Sequence, residues 1–112
     1  MKIRETMDGI LTQMGLPYAY GDLTDPVSPF ISWSVSDTVF TAPDEYGGIT
    51  TLMHTVNVEL YTTGKDWETE DRLEALIEQF SPRKHEEINY YESVYQITYT
   101  FFVTEKNRRE NT

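Results

Sequence analysis

The residues best placed to do chemistry lie between Val56 and Glu70, where the chain reads VNVELYTTGKDWETE. A strand, a turn holding Gly64-Lys65 and the start of a helix follow one another there, which is the outline of a loop that wraps nucleotide phosphates. Such a loop needs a glycine five residues before the Gly-Lys pair, so that backbone N–H groups can turn inward, and a hydroxyl residue after the lysine to reach magnesium. Position 59 is glutamate and position 66 is aspartate. Glu68, Glu70 and Asp71 add further negative charge to the first turns of the helix, where they repel an anion. The turn therefore reads as a connection into a helix with Asp66 at its N-cap.

Other chemistries meet similar obstacles. The chain has no cysteine, which removes disulfides, thiolate catalysis and thiolate metal sites. Zinc usually takes four ligands, and only His54 and His85 are on offer, far apart in sequence. His54 is expected on the polar side of a strand and His85 in a charged loop. Asp44-Glu45 and Glu86-Glu87 lack the spaced oxygens and central glycine of a calcium loop. Glu59 and Glu92 could be brought together by neighbouring strands, but a carboxylate pair works only with one acid held protonated in an apolar pocket. There is no Gly-x-Ser-x-Gly elbow. Tyr90, Tyr91, Tyr95 and Tyr99 could stack bases, yet the basic groove that accompanies such platforms is missing. The expectation is a protein that is not an enzyme, with no catalytic residue, cofactor or metal.

Charge narrows the partners. Nine basic and nineteen acidic side chains leave a formal charge of −10, the wrong sign for neutralising nucleic-acid phosphates. An acidic surface can still meet DNA by repelling it, or occupy a basic partner by imitating it. No apolar run approaches the ~20 residues of a membrane span, so a soluble intracellular product is expected. At 112 residues the chain suits one domain with one core.

The elements that must position these residues follow from hydrophobic period. Ile3, Met7, Ile10, Leu11 and Met14 form one stripe of a helix, which Gly15 and Pro17 end. Residues 17–29, with three prolines and a glycine, read as an irregular connection. Phe30, Ile31, Trp33, Val35, Val39 and Phe40 favour a strand broken near Ser36-Asp37. TAPDEYGG, residues 41–48, is a polar loop at the tip of a long hairpin. Val56, Val58 and Leu60 then alternate against Thr55, Asn57, Glu59 and Tyr61. Leu73, Leu76, Ile77 and Phe80 mark a central helix ended by Ser81-Pro82. Beyond the polar stretch Arg83 to Glu87, INYYESVYQITYTFFV reads as two strands turning near Glu92-Ser93, with Tyr95, Ile97, Tyr99, Phe101 and Val103 on one face. The predicted fold is α+β: a mainly antiparallel sheet with an N-terminal and a central helix packed on one face, and a long β-hairpin loop. Residues 1–105 form one domain and 106–112 a polar, frayed tail.

Taken together, ISWSV, the loop with PDEYGG, HTVNVELYTTGKDWETEDRLEALIEQF and YYESVYQITYTFFV make the chain resemble the tail terminator or tail completion (head-tail joining) proteins of long-tailed bacteriophages. The resemblance spans about residues 2–105, is strongest from Val56 to Phe80, and rests on the order of segments. It implies a virion protein assembled in the host bacterial cytoplasm, whose copies form a homo-oligomeric ring, commonly a hexamer. The ring ends growth of the tail tube and meets the head connector or head-completion protein, while DNA only passes through an acidic channel. One-sided aromatic strands would want a neighbour to cover them, and ring closure needs head-to-tail interfaces. The expected contacts are Asp44, Glu45 and Tyr46 at the hairpin tip, with Trp33 and Phe40 near its base as apolar anchors. Two other readings share the size and acidity: a head-completion or adaptor protein of the phage connector, and an acidic DNA mimic that inhibits a nucleic-acid-binding protein.

Overall fold

The computed structural model describes residues 2–21, 28–41, 49–89 and 94–108. The helical stripe at the N-terminus forms α1 (Ile3–Leu11), which tightens into a 3₁₀ turn over Thr12–Met14. Gly15 takes the left-handed conformation at φ +70° and stops it, the cap that an absent Cβ makes easy. The strands are β1 (Tyr18–Tyr20), β2 (Phe30–Phe40), β3 (Ile49–Thr63), β4 (Arg83–Asn89) and β5 (Val94–Arg108). Between β3 and β4 lies α2 (Trp67–Ile77), followed by a 3₁₀ turn at Glu78–Phe80. The sheet order is β1-β2-β3-β5-β4, with β1 parallel to β2 and every other pairing antiparallel.

Strand alternation makes the core. Val56, Val58 and Leu60 are fully buried, and their partners across the sheet, Ile31 and Trp33 on β2 and Ile97, Tyr99 and Phe101 on β5, are buried with them. Met7, Ile10 and Leu11 from α1, Met14 from the turn after it, and Leu73 and Ile77 from α2 close over the same face. Phe80 stacks on Phe101 at 5.1 Å between ring centroids. Each such apolar side chain taken fully from water contributes about 1.5–3 kcal/mol. The aromatic face of β5 is thus covered by the chain's own helices, not by a neighbour.

Five local expectations change. Within residues 17–29, Tyr18–Tyr20 forms a short parallel edge strand, registered by Gly21 N–H to Trp33 O and Ile31 N–H to Pro17 O, both 2.9 Å. β2 is continuous through Ser36-Asp37 because the irregularity there is a bulge, shifting register between Val35 and Asp37 without ending the strand. Arg83 to Glu87, read as a polar loop, is β4; a sheet edge tolerates and even favours charge, so hydrophobic alternation was the wrong signal there. The polar tail begins later than residue 106, since β5 pairs with β3 as far as Arg108 opposite Ile49. His54 shares the parity of Val56 and is buried at 7% exposure, on the core face and not the polar one. β2 and β3 pair antiparallel, and the long loop expected between them falls at residues 42–48, outside the described residues.

Candidate functional site

The Gly64-Lys65 turn is built as a hinge. Gly64 sits at φ +75°, and Asp66 Oδ1 accepts the N–H of Thr69 at 3.1 Å while its Oδ2 accepts the Thr69 hydroxyl at 2.7 Å. Those two bonds hold the Asp66 carboxyl below its ordinary 3.8 and use the helix-end donor that an incoming anion would need. Lys65 turns the other way, onto Glu86 at 2.7 Å and Glu70 at 2.8 Å. Glu70 is 1% exposed and also receives Lys84 at 3.0 Å. Lys84 reaches Glu74 at 3.1 Å, and Glu74 in turn accepts the Tyr99 hydroxyl at 3.0 Å. Hydrogen bonds donated to Glu70 and Glu86 raise Lys65 above 10.5. Burial pulls Lys84 down, but its bonds to Glu70 and Glu74 outweigh this and leave it raised. Burial, then the Glu74 contact, pushes the Tyr99 hydroxyl well up. Lys65, Lys84 and Tyr99 are thereby held in their resting charge states, and their bonds to Glu70, Glu74 and Glu86 dock α2 on β4 and β5.

A second polar chain runs across the root of the hairpin. Thr38 Oγ1 lies 2.9 Å from His54 Nδ1, His54 Nε2 lies 3.6 Å from Glu105 Oε1, and that oxygen accepts the Ile3 N–H at 2.6 Å. Hydroxyl, imidazole and carboxylate in a row have the order of a nucleophile triad. The carboxylate oxygen is already taken by the start of α1, and the imidazole–carboxylate gap exceeds hydrogen-bond reach. The row ties β2, β3 and β5 to α1. It borders an open cleft of about 810 Å³ lined by Arg4, Asp8, Tyr18, Tyr20, Trp33 and His54, among others. Tyr20 meets Trp33 edge-on at 4.8 Å.

The surface most unlike a finished exterior lies at the other end of β2. β1 pairs only with Ile31 to Trp33 and β4 reaches only to Thr100, so residues 34–40, 49–57 and 101–108 form a three-stranded arm. The described residues extend 55 Å along their long axis against 25 and 22 Å. On the helix-free face, Val39 lies directly opposite Met53, and Phe102 is diagonal to Met53. The three are 46, 38 and 59% exposed. Phe40 lies on the other face and is 69% exposed. Four exposed apolar side chains thus lie on the two faces of a narrow arm.

Of the five expected contact residues, Phe40 is at this surface. Trp33 is corrected: at 4% exposure it belongs to the core beneath Tyr20, because its parity on β2 matches Ile31. Asp44, Glu45 and Tyr46 lie outside the described residues, as does Glu92. Val39, Met53 and Phe102 were missed by sequence reading; the available signal was an apolar residue on the polar phase of a strand, at 53 and 102 especially. Glu59 stays on the helix-free face beside Tyr61, whose hydroxyl it accepts. His85 is exposed on β4, 3.3 Å from Glu87. Among the described residues no group of His, Asp and Glu gathers with the geometry of a metal site, and no helix is long and apolar enough to cross a membrane. No known protein family and no curated protein matches the chain.

Proposed function

We propose that the chain is a structural, non-catalytic virion subunit: a tail terminator or tail completion protein whose copies close into a ring at the head-proximal end of a phage tail tube. The reading rests on the segment resemblance. The observation that supports it is the three-stranded arm, which gathers exposed Phe40 on one face and Val39, Met53 and Phe102 on the other, whereas Tyr20, Trp67 and Ile88 are exposed singly and the stripes of α1, α2 and β3 pack inward. An arm of this kind gains most by lying against another subunit. A charge of −10 suits a ring around passing DNA, since a channel lined with acids repels the phosphates and does not retain them. The Lys65–Glu70–Lys84 network and the Thr38–His54–Glu105 row hold α2 and α1 to the sheet, which keeps the arm in a fixed direction relative to the body. Rigid presentation lowers the ordering cost of assembly.

Tube length tests the proposal. The tail-tube protein encoded with this chain, polymerised in its presence, is expected to give shorter and more uniform tubes than without it. Unchanged length at a tenfold molar excess of this chain over tube ends would count against the terminator role. A DNA mimic would instead bind a basic nuclease or repressor with an affinity falling steeply with salt, and would leave tube length unaltered.

A further inference from the structure

We infer that the open edge of β2 is where a second copy of the chain adds its β4, joining the sheets of neighbouring subunits into one; this rests on the ring-forming reading and names its contact. Among the described residues β1 covers β2 only at Ile31 to Trp33 and the Tyr20 hydroxyl takes the Val35 N–H, so residues 36–40 have a described strand on one side alone. Thr41 N–H bonds to Thr51 O, toward β3, and the alternation of an antiparallel ladder therefore turns the backbone groups of Thr38 and Phe40 to the open side. Exposed edges are normally blunted by charge or by a cover. This one carries a single charge, Asp37, close to exposed Val39 and Phe40.

The other described sheet edge is β4, at the opposite end of the strand order. Carrying the same alternation across β3 and β5 turns the backbones of Lys84, Glu86 and Ile88 outward. Three antiparallel steps separate β2 from β4, so the two run in opposite directions. Rotation about an axis along the strands keeps those directions, and β4 of one copy then meets β2 of the next as an antiparallel neighbour. The side-chain phase agrees as well. Asp37 lies opposite Thr55 and Arg83 opposite Thr100, both on the helix-free face, so a joined sheet places Asp37 and Arg83 on one face.

Charge and backbone donors together select the register. Pairing Thr38 with Lys84 sets Asp37 opposite His85 and diagonal to Arg83. Neither Asp37 nor Arg83 has an ion pair or hydrogen-bonded side-chain partner among the described residues of its own subunit. A slip of two residues one way sets Asp37 against Glu87, a like charge. The opposite slip sets Asp37 directly against Arg83, but it pairs Thr38 with Pro82, which has no N–H to give, and Phe40 with Phe80, outside β4. In the favoured register residues 83–85 run along 37–39 and, past the bulge, Glu86 meets Val35, short of the stretch that β1 occupies. The contact is heterologous, and repeated by rotation it closes a ring.

Because the chain contains no native cysteine, a disulfide can report this neighbour directly. Mild oxidation of the D37C/H85C variant should give a ladder of covalent multimers on a non-reducing gel, while D37C alone and H85C alone stay monomeric. Covalent dimers of D37C alone would overturn the head-to-tail pairing in favour of a two-fold one. Rings visible by negative stain without a ladder would overturn the edge contact and leave the ring; absence of both would remove the two together. As a second measure, D37R should weaken self-association at least tenfold with an unchanged circular dichroism spectrum, and D37R/R83D should recover most of the loss. Unaltered association of D37R would contradict the register.

Discussion

Replacing Glu70 by glutamine tests the network that docks α2. Glu70 is buried and takes Lys65 at 2.8 Å and Lys84 at 3.0 Å. Removing one member of a buried ion pair costs about 3–5 kcal/mol when the remaining charge is stranded. Here the stranding is partial: Lys65 keeps Glu86 and Lys84 keeps Glu74, and the two lysine side chains retain 19 and 36% exposure. Solvent screening at that exposure reduces what each pair contributes. The side-chain amide of the E70Q variant can also still accept one hydrogen bond. The expected loss is about 2 kcal/mol, or roughly 8–10 °C in Tm for a chain of this size. Alkaline titration adds a signature. Lys65, Lys84 and Tyr99 all have folded pKa values above their ordinary 10.5, 10.5 and 10.0. Each raised value contributes stability that is fully present below the ordinary pKa and lost as pH rises through the folded one. Wild-type stability should therefore fall above about pH 10, and E70Q should show a shallower fall because the lysines have lost the partner that raised them. Urea unfolding from pH 7 to 11, followed by far-ultraviolet circular dichroism, measures both effects. A change below about 0.5 kcal/mol at pH 7 with an unaltered alkaline slope would refute the view that Glu70 anchors this helix.

Three further outcomes follow from the same structure. Asp66→Ala should cost about 1 kcal/mol at neutral pH by removing the cap bonds to Thr69; because the folded carboxyl lies below 3.8, that difference should vanish as acid protonates the wild-type cap, which urea titrations at pH 7 and pH 2 would show. Trp33→Ala should lose about 3–5 kcal/mol in thermal or chemical unfolding, as a core residue would and an exposed anchor would not. A combined Phe40→Ser, Met53→Ser, Phe102→Ser variant should keep each single-site stability change within about 0.5 kcal/mol, yet weaken self-association by at least roughly thirtyfold if one of the three is an anchor worth ~2 kcal/mol, as read by sedimentation velocity across concentrations.

What could be read from the sequence, and what could not, divides along physical lines. Elements with a buried stripe were legible, because Val56, Val58 and Leu60 or Leu73 and Ile77 repeat at the period of their structure and nothing competes with that period. The Asp66 cap was legible for a similar reason, since short-range capping chemistry is written into adjacent residues. Edge strands were not. β1 is three residues long and is held by backbone bonds to β2 that no side-chain pattern records, and β4 carries Arg83, Lys84, His85, Glu86 and Glu87 because an edge favours charge. Trp33 was mistaken for an anchor because an aromatic near a hairpin base suits either role; only its parity with Ile31 decides, and that parity puts it in the core. The arm surface is a tertiary property, visible once β1 and β4 are seen to end before β2, β3 and β5 do.

Electron microscopy of purified tail tubes incubated with the protein decides whether it caps them. Closed rings of the free protein are expected at high concentration, together with extra ring-shaped density on one end of each tube. Tubes with bare ends, and no rings at any concentration, would contradict the terminator role.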